Sequence, residues 1–442
     1  MTRTIPALAK AKAVRLPTVG DTTLDNGLRV LAVRRPGVPL AEVRLRIPFA
    51  APAKGTTAHV ARAHLLADTF LSGTADRDAS QIAVAIQSLG ATLGVNVDAD
   101  RLAVGGSVLL DGLPGLLALL GELLTSATFP KREVEGERDR LVQELAIHRS
   151  SAGVIAREAL FARLYGSHPY AQDLPLPDEV EQTKPKQLRA LHASRVVPAG
   201  SILTIVGDLT PARATAAVQK ALAGWTADGV DVPVERVPAQ TGRTALLVDR
   251  PGAVQTTMRF GGGAPSRTAD DYAATALANL VFGGYFSSRW VSNIREDKGY
   301  TYSPNSALDH PVAGSRLLAG ADVATDVTAP ALLETLYELG RIVTVPVKKD
   351  ELDQARRYAI GTLALSTASQ AGLAGTLSQL AASGLGIEWL RDYPKQLAAV
   401  TVDDVLEAAA RWLAPTALTP VLVGDTATVE KSLRGLVDLE LG

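Results

Sequence analysis

Apolar residues recur along the chain in two kinds of pattern, and each pattern predicts one kind of element. Short apolar runs bounded by turn residues predict strands at 28–33, 41–47, 203–208, 245–248, 255–260 and 421–425. Longer stretches with apolar residues at helical spacing predict helices near 57–70, 78–89, 112–125, 131–148, 210–223, 268–282, 328–342, 348–368 and 427–436. Strands and helices do not alternate strictly, so the pattern favours an α+β fold over a doubly wound parallel sheet. We expect mostly antiparallel or mixed sheets, each with helices packed on one face.

The predicted elements form two copies of one design. An Arg-Pro-Gly turn followed by a strand occurs at 35–37 and again at 250–252, and a strand ending in Val-Gly-Asp ends at Asp208 and again at Asp425. The helix that starts Lys131-Arg-Glu-Val has a counterpart that starts Lys349-Asp-Glu-Leu. These three matches are offset by 215, 217 and 218 residues and keep the same order. A nearly constant offset predicts a duplicated domain.

The stretch between the two copies is rich in Asp, Gly, Pro and Val and lacks helical periodicity, which is typical of a linker. We therefore predict an N-terminal domain over 1–225, a linker over 226–243 and a homologous C-terminal domain over 244–442. The length of 442 residues is enough for each domain to bury its own core.

Composition excludes several classes of function. The formal net charge of −1 gives no electrostatic footprint for nucleic acid or an anionic membrane, so neither is expected as a partner. The absence of cysteine removes disulfides, thiolate zinc sites and cysteine nucleophiles together. The most apolar stretch, 108–129, is interrupted by Asp111, Pro114 and Glu122, whereas a membrane span needs ~20 nearly uninterrupted apolar residues. No secretory signal is evident at the N-terminus, and we expect a cytoplasmic protein.

The segment 55–74 contains the first candidate chemistry: His64, Ala67 and Asp68, followed by a Gly-Thr pair at its end. It resembles the H-x-x-E-H helix of the insulinase/pitrilysin-like metallopeptidases. In this resemblance His64 stands at the first His, Ala67 at the Glu and Asp68 at the second His. The family's distal glutamate ligand corresponds to Glu144, and Glu137, two helical turns earlier, shares its face.

The intact motif places two His ligands on one helical face, with the intervening Glu as general base for zinc-bound water. Here Ala67 has no proton acceptor, and general-base assistance is typically worth ~10²–10⁴-fold in rate. We therefore expect no metal at this degenerate site and no efficient zinc peptidase in this chain alone. The alternative is a residual metal site made of His64, Asp68 and Glu144. His168, in a His-Pro segment that matches the family, could line the cleft, although a structural role is favoured.

The second candidate lies in the C-terminal half, where Gly283-Gly284-Tyr-Phe-Ser-Ser-Arg precedes an Arg-Glu segment that continues to a Tyr-Ser pair. Both blocks resemble those of the same family. Its peptide-cutting members carry an Arg and a Tyr seven positions apart opposite the zinc, and Arg295 and Tyr302 match that identity and spacing. A guanidinium can donate to a peptide carbonyl, and a phenol can donate to the oxyanion formed as water attacks. The alternative is a purely structural role, in which Arg295 forms a surface ion pair and Tyr302 is a half-buried strand residue.

The resemblance runs from about Asn26 to the C-terminus and implies two domains that form half of a clamshell. It is closest in kind to a two-domain, mitochondrial processing peptidase-like subunit that lacks the zinc motif. In this family the domains enclose the substrate in a chamber. Such a chain would be the non-catalytic subunit of a heterodimeric zinc metallopeptidase, which closes that chamber and binds peptide through Arg295 and Tyr302. The zinc would then belong to a homologous catalytic partner with an intact H-x-x-E-H. Two alternatives are an inert scaffold and a weak stand-alone metallopeptidase with a His/Asp/Glu site.

Overall fold

Two six-stranded sheets form the framework of the protein in a computed structural model, which describes residues 17–226, 229 and 234–442. The first sheet contains β1 (Val19–Thr23), β2 (Arg29–Arg34), β3 (Leu40–Pro48), β4 (Thr92–Val97), β5 (Arg101–Leu109) and β6 (Ile202–Gly207). The second contains β7 (Ala245–Asp249), β8 (Gln255–Gly263), β9 (Asn305–Asp309), β10 (Arg316–Ala324), β11 (Thr419–Gly424) and β12 (Leu439–Leu441).

The two sheets have the same internal order, which confirms the duplication. The first runs β1-β2-β6-β3-β5-β4 and the second β12-β7-β11-β8-β10-β9. In both sheets the inner strand pair β2/β6 or β7/β11 is parallel, while β3, β4 and β5, like β8, β9 and β10, pair in antiparallel fashion. The copies differ at one edge, where β1 is antiparallel to β2 but β12 is parallel to β7. The expected mostly antiparallel, mixed sheets in an α+β fold are therefore confirmed.

The helices agree closely with the predicted ones and add several. The first half contains α1 (Thr56–Asp68), α2 (Ala79–Ser88), α3 (Leu113–Ser126), α4 (Lys131–Arg149), α5 (Ala152–Tyr165), α6 (Pro177–Glu181), α7 (Pro185–Arg195) and α8 (Pro211–Ala221). The second contains α9 (Tyr272–Asn279), α10 (Arg289–Val291), α11 (Thr328–Thr344), α12 (Lys349–Ser366), α13 (Gln370–Ala382), α14 (Ile387–Ala399), α15 (Val402–Trp412) and α16 (Thr426–Leu433). Helices α5, α6, α7, α10, α13, α14 and α15 were not predicted.

Each sheet has helices packed on both faces, and on one face the helix belongs to the other domain. Helix α5 of the first half packs on the second sheet, where Leu160 and Phe161 share a buried cluster with Val421 and Val423. Helix α13 of the second half packs on the first sheet in the same way, with Leu377 in a cluster that includes Val33 and Val206. Burial of apolar area is the main favourable term in such packing. The prediction of helices on one face therefore holds for the helices in each domain's main core, and the exchanged helices cover the opposite face.

The domain boundaries themselves stay a prediction. Of the predicted linker 226–243, residues 227–228 and 230–233 lie outside the described part of the chain. The apolar stretch around 108–129 forms α3, whose leucines are buried against the first sheet. Among the described residues no helix is long and apolar enough to cross a membrane.

Candidate functional site

Helix α1 carries the remnant of the zinc motif. It begins after Gly55, whose φ of 77° is a left-handed conformation that glycine adopts without strain. His64 and Asp68 are four residues apart and share a helical face, while Ala67 is buried at 6% exposure. Burial lowers the pKa of His64, and the charge of nearby Asp173 opposes this shift. Burial therefore favours the neutral form of His64, which lies near an acidic group from another segment.

Asp68, which stands where the intact motif has its second histidine, forms an ion pair with an arginine of the same chain. The Arg140 guanidinium of α4 lies 3.8 Å from the Asp68 carboxylate, 2.5 Å from Glu137 and 2.5 Å from Glu144. One arginine thus bridges all three carboxylates of the degenerate site. Burial raises the pKa of Asp68 to about 6, Arg140 pulls it down, and the charges of Glu137 and Glu144 raise it further.

These residues do not fit the zinc of the intact motif. The ligand position taken by Asp68 and the distal Glu144 are both paired with Arg140, which already neutralises their charge. Ala67 offers no proton acceptor to a bound water. Over 17–226, 229 and 234–442, no three His, Cys, Asp or Glu side chains come together in a way that could hold a metal ion. The alternative of a residual site made of His64, Asp68 and Glu144 gains no support from this geometry.

The face of α1 that carries His64 borders a cavity of about 360 Å³ between the two domains. From the second domain the cavity is lined by His310 and Arg316, which sequence analysis did not single out. Burial lowers the pKa of His310 to about 4; the charge of Arg267 adds to this and that of Asp309 opposes it. Nothing in the sequence around His310 marks it as a cavity residue, because it reaches the first domain only through the packing of the two halves.

A buried polar network fixes the two domains to each other beside this cavity. The Tyr170 hydroxyl donates to Asp100, whose other oxygen accepts from the backbone N–H of Val312 at 2.8 Å. The Tyr170 oxygen in turn accepts from the backbone N–H of Ala313 at 2.9 Å. Burial raises the pKa of Asp100, while its bonds to Tyr170 and Val312 oppose that shift. Because buried hydrogen bonds are costly to break, this network resists separation of the domains.

Two further histidines have structural roles. His59, on the first turn of α1, is buried with its Nε2 2.8 Å from the carbonyl oxygen of Phe49. His168 is buried as well; its Nδ1 accepts from the backbone N–H of Tyr170, and its Nε2 lies 3.0 Å from the carbonyl of Glu235. The favoured structural role of His168 therefore agrees with its contacts.

In the second domain Arg295 and Tyr302 lie together. The Cζ atom of Arg295 is 5.0 Å from the centroid of the Tyr302 ring and 4.4 Å from that of Phe286. Arg295 also pairs with its neighbour Glu296 at 3.3 Å, so the ion pair expected from a purely structural role is present. The other half of that alternative is wrong, because Tyr302 is 83% exposed and precedes β9. Phe286 belongs to the same sequence block, but nothing in that block marks it as a partner of Arg295.

The segment that carries Arg295 is held in place by contacts with α11 and α12. Arg289 forms a bidentate pair with Glu351 of α12, with both distances 2.9 Å, and its side chain is only 5% exposed. Asn293 donates to Glu334 at 2.9 Å and to Glu338 at 3.0 Å on α11. Bidentate and multiple contacts of this kind fix orientation as well as position.

The two glycines of the block allow a close approach of neighbouring groups. A Cβ atom on Gly283 would lie 2.9 Å from the Trp290 ring and 3.0 Å from Ser306. One on Gly284 would lie 2.9 Å from the side chain of Asn279. Here the helix that starts as α9 continues as a π-helical turn over Leu280–Gly284, a form often found at functional sites.

The sequence-predicted residues thus form two separate groups. His64, Asp68, Glu137 and Glu144 belong to α1 and α4 of the first domain, whereas Arg295 and Tyr302 belong to the second. No hydrogen bond, ion pair or ring contact between described residues joins the two groups. Among the described residues of one chain, the arginine and tyrosine are therefore separate from the remnant of the zinc motif.

Comparison with known proteins agrees with the family resemblance. Residues 60–178 match the profile described as "Insulinase (Peptidase family M16)", and residues 183–358 match "Peptidase M16 inactive domain". An uncharacterized zinc protease of Mycobacterium leprae is 27% identical over 304 residues, which cover 68% of each chain. A "probable mitochondrial-processing peptidase subunit beta" of Schizosaccharomyces pombe is 25% identical over 176 residues, 40% of this chain and 38% of that one.

Two solved structures share the fold. The peptidase M16 inactive domain from Pseudomonas fluorescens has a TM-score of 0.85 and 24% identity, covering 92% of this chain and 98% of that one. A protease from Helicobacter pylori has a TM-score of 0.86 and 20% identity, covering 93% and 100%. The order of the segments, the duplicated fold and both profile matches lead to one conclusion: this chain belongs to the insulinase (M16) peptidase family, as a peptidase-like member with a degenerate zinc motif.

Proposed function

We propose that this chain is the non-catalytic subunit of a heterodimeric zinc metallopeptidase. A homologous partner with an intact H-x-x-E-H would supply the zinc and the general base. This chain would close the chamber, bind an extended peptide and bring Arg295 and Tyr302 to the bond that is cut. The observation that carries the proposal is the contrast between a first-domain site without a base and a second-domain Arg/Tyr pair. In this pair the Tyr302 hydroxyl and the terminal N–H groups of Arg295 have no hydrogen-bond partner among the described residues.

The availability of those donors supports the proposal. Apart from the pair with Glu296 and the two ring contacts, Arg295 has no partner among the described residues, so its terminal N–H groups can donate to a substrate. The Tyr302 side chain is 83% exposed, and no hydrogen bond from its hydroxyl reaches a described residue. Donors that are already oriented cost little reorganisation when charge develops on a carbonyl oxygen.

The substrate would be a peptide or leader segment flexible enough to enter a closed chamber. Strands β4 and β9 are edge strands of their sheets, and alternate residues of β4 are exposed. An edge strand has unpaired N–H and C=O groups that can bind an extended peptide by strand addition. The proposal also keeps the prediction that the protein works in the cytoplasm.

The proposal is tested by mixing this chain with a homologous subunit that has an intact H-x-x-E-H, sought first in the neighbouring gene. Cleavage of a flexible fluorogenic peptide should increase greatly over either subunit alone. Arg295→Ala and Tyr302→Phe should each reduce that gain by ~10²-fold or more, because each removes one donor to the developing oxyanion.

Arg434→Ala is the matched control, since Arg434 forms an ordinary surface pair with Glu430 in the same domain. It should stimulate as well as wild type. If Arg295→Ala and Tyr302→Phe also stimulate fully, the chain is a scaffold and the proposed role of the pair is wrong. If the isolated chain cuts the peptide at the rate of the mixture, the stand-alone alternative replaces the proposal.

A further inference from the structure

Phe286 is a large apolar side chain that the fold leaves uncovered. Its exposed fraction is 59%, and its ring stacks on the Arg295 guanidinium at 4.4 Å. Tyr302 contacts the same guanidinium at 5.0 Å. Two exposed rings therefore share one cation.

The exposure of Phe286 is imposed by a firmly held segment. The preceding residue, Tyr285, has an extended backbone and stacks on Tyr358 of α12 at a centroid distance of 5.1 Å. Phe286 lies in the turn that follows, which the hydrogen bond from the Ser288 N–H to the Tyr285 carbonyl closes at 3.1 Å, and its ring lies on the Arg295 guanidinium. The close approaches of Gly283 and Gly284 fix the residues just before it.

A cation–π contact at an exposed site gains less free energy than burial of a whole aromatic side chain. The Arg295 contact therefore leaves most of the possible stabilisation of Phe286 unused. An apolar group laid on the ring would recover it. The free N–H groups of Arg295 lie beside the same ring, so the surface offers an apolar contact next to hydrogen-bond donors. Peptide backbone with a neighbouring apolar side chain has the matching arrangement of groups.

We propose that Phe286 is a specificity-determining residue, which together with Tyr302 binds a large aliphatic or aromatic side chain next to the substrate carbonyl contacted by Arg295. This inference rests on the proposed function and names the substrate class of that site. Peptides with a small polar residue at this position gain no burial. Peptides with lysine there are disfavoured in addition by the positive charge of Arg295.

The test uses the full chain and three fluorescently labelled Gly/Ser-rich peptides that differ only in one central residue: Leu, Ser or Lys. Binding is measured by fluorescence anisotropy. The Leu peptide should bind about tenfold more tightly than the Ser peptide, and the Lys peptide should bind most weakly. In Phe286→Ala the Leu-to-Ser ratio should fall close to one, whereas Phe286→Leu should keep most of the preference.

Val84→Ala is the matched control, because Val84 is similarly exposed at 57% but lies on α2 of the first domain. It should leave the ratio unchanged. Thermal unfolding of each variant checks that it is folded. If Phe286→Ala does not fold, the comparison of wild type with Phe286→Leu still tests the inference.

Three outcomes overturn the inference and are distinguishable. Equal binding of the Leu and Ser peptides by wild type removes the preference but leaves peptide binding, and so the proposed function, in place. An equal loss for both peptides in Phe286→Ala makes Phe286 a residue that only positions Arg295. Failure of wild type to bind any of the three peptides counts against the proposed function itself, and the inference falls with it.

Discussion

Corresponding positions of the two domains carry opposite chemistry. Asp68, at the end of α1, has Gly283 as its counterpart 215 residues later, and Arg140 of α4 has Tyr358 of α12 as its counterpart 218 residues later. In the first domain Arg140 bridges three carboxylates. In the second, Tyr358 stacks on the ring of Tyr285.

The difference shows how a duplicated fold can divide its work. The first copy keeps the polar remnant of a metal site but has lost the base, and an internal guanidinium now neutralises its acids. The second copy has uncharged residues at those positions and instead holds the partly buried Arg295 between two exposed rings, those of Phe286 and Tyr302. In the first domain Arg140 therefore adds ionic contacts to the apolar packing of Ala61 against Leu141 and Leu145, whereas its counterpart Tyr358 adds a ring contact in the second.

Rebuilding the motif should produce the largest effect. The variant Ala67→Glu/Asp68→His/Arg140→Leu combines His64, a second imidazole and Glu144 without the competing cation. We expect zinc content to rise from substoichiometric to one ion per chain, since two His and one carboxylate form a zinc site. Metal analysis after dialysis measures this. Ala67→Glu alone adds no ligand and should not raise zinc content; one zinc per chain in wild type would show that Arg140 does not close the site.

At the counterpart of Asp68, Gly283→Ala should destabilise the second domain by about 1–3 kcal/mol. The added Cβ would come within 2.9 Å of the Trp290 ring and 3.0 Å of Ser306, so packed groups must shift. Chemical denaturation measures the free energy of unfolding. Gly136→Ala in α4 is the control: no atom lies within 4 Å of its added Cβ, and alanine favours helix there by up to about 1 kcal/mol. Equal stability of wild type and Gly283→Ala would mean that this close approach is not needed.

The stability contributed by the ionic contacts of Arg140 should depend on salt, whereas that contributed by the ring contact of Tyr358 should not. Arg140→Ala leaves three carboxylates near each other and should cost about 1 kcal/mol at low ionic strength, falling as salt screens the repulsion. Tyr358→Ala removes ring stacking and should cost a similar amount that salt does not reduce. Denaturation curves at two salt concentrations separate the two. The same salt dependence in both variants would contradict the comparison.

The smallest expected effect is a pH dependence from Asp68. Its pKa, about 6 in the folded protein, exceeds the usual value of 3.8, chiefly because burial disfavours the charged form. The folded state therefore holds this proton more tightly than the unfolded state, and stability is lost as pH rises through 6. Asp68→Asn mimics the protonated form. It should match wild type near pH 4 and become more stable than wild type by pH 7, by at most about 1 kcal/mol because the carboxylate is 32% exposed and screened by solvent.

The exposed neighbour Asp139, which is not held between α1 and α4, provides the control variant Asp139→Asn. Both variants are compared with wild type at pH 4 and at pH 7. A stability difference for Asp68→Asn that stays constant between these pH values would show that the pKa of Asp68 is not raised.

Much of the fold could be predicted because its central elements have strong apolar patterns. Strand β3 and helices α4 and α12 lie within two residues of their predicted bounds, and β8 starts at its predicted residue but extends three residues further. Six strands were not predicted: β1, β4, β5, β9, β10 and β12. Strand β4, for example, is half exposed and contains Gly94, which weakens its pattern. The exchange of α5 and α13 between domains could not be predicted, since an amphipathic pattern does not say which sheet a helix covers.

For the candidate sites, sequence analysis identified the pair but not its surroundings. The spacing of Arg295 and Tyr302 was recognisable from the family motif, whereas the stacking of Phe286 depends on the turn after Gly284. Arg140 is one of several arginines on a charged helix, and nothing local marks it. Only the packing of α4 against α1 brings its guanidinium to Asp68.

The central claim is that this chain cannot cut peptides by itself and contributes Arg295 and Tyr302 to a catalytic partner. It is tested most directly by measuring zinc content and peptide cleavage on the same preparation of the isolated chain. The account predicts less than one zinc per chain and no cleavage of a flexible peptide. One firmly bound zinc per chain together with rapid cleavage would contradict it.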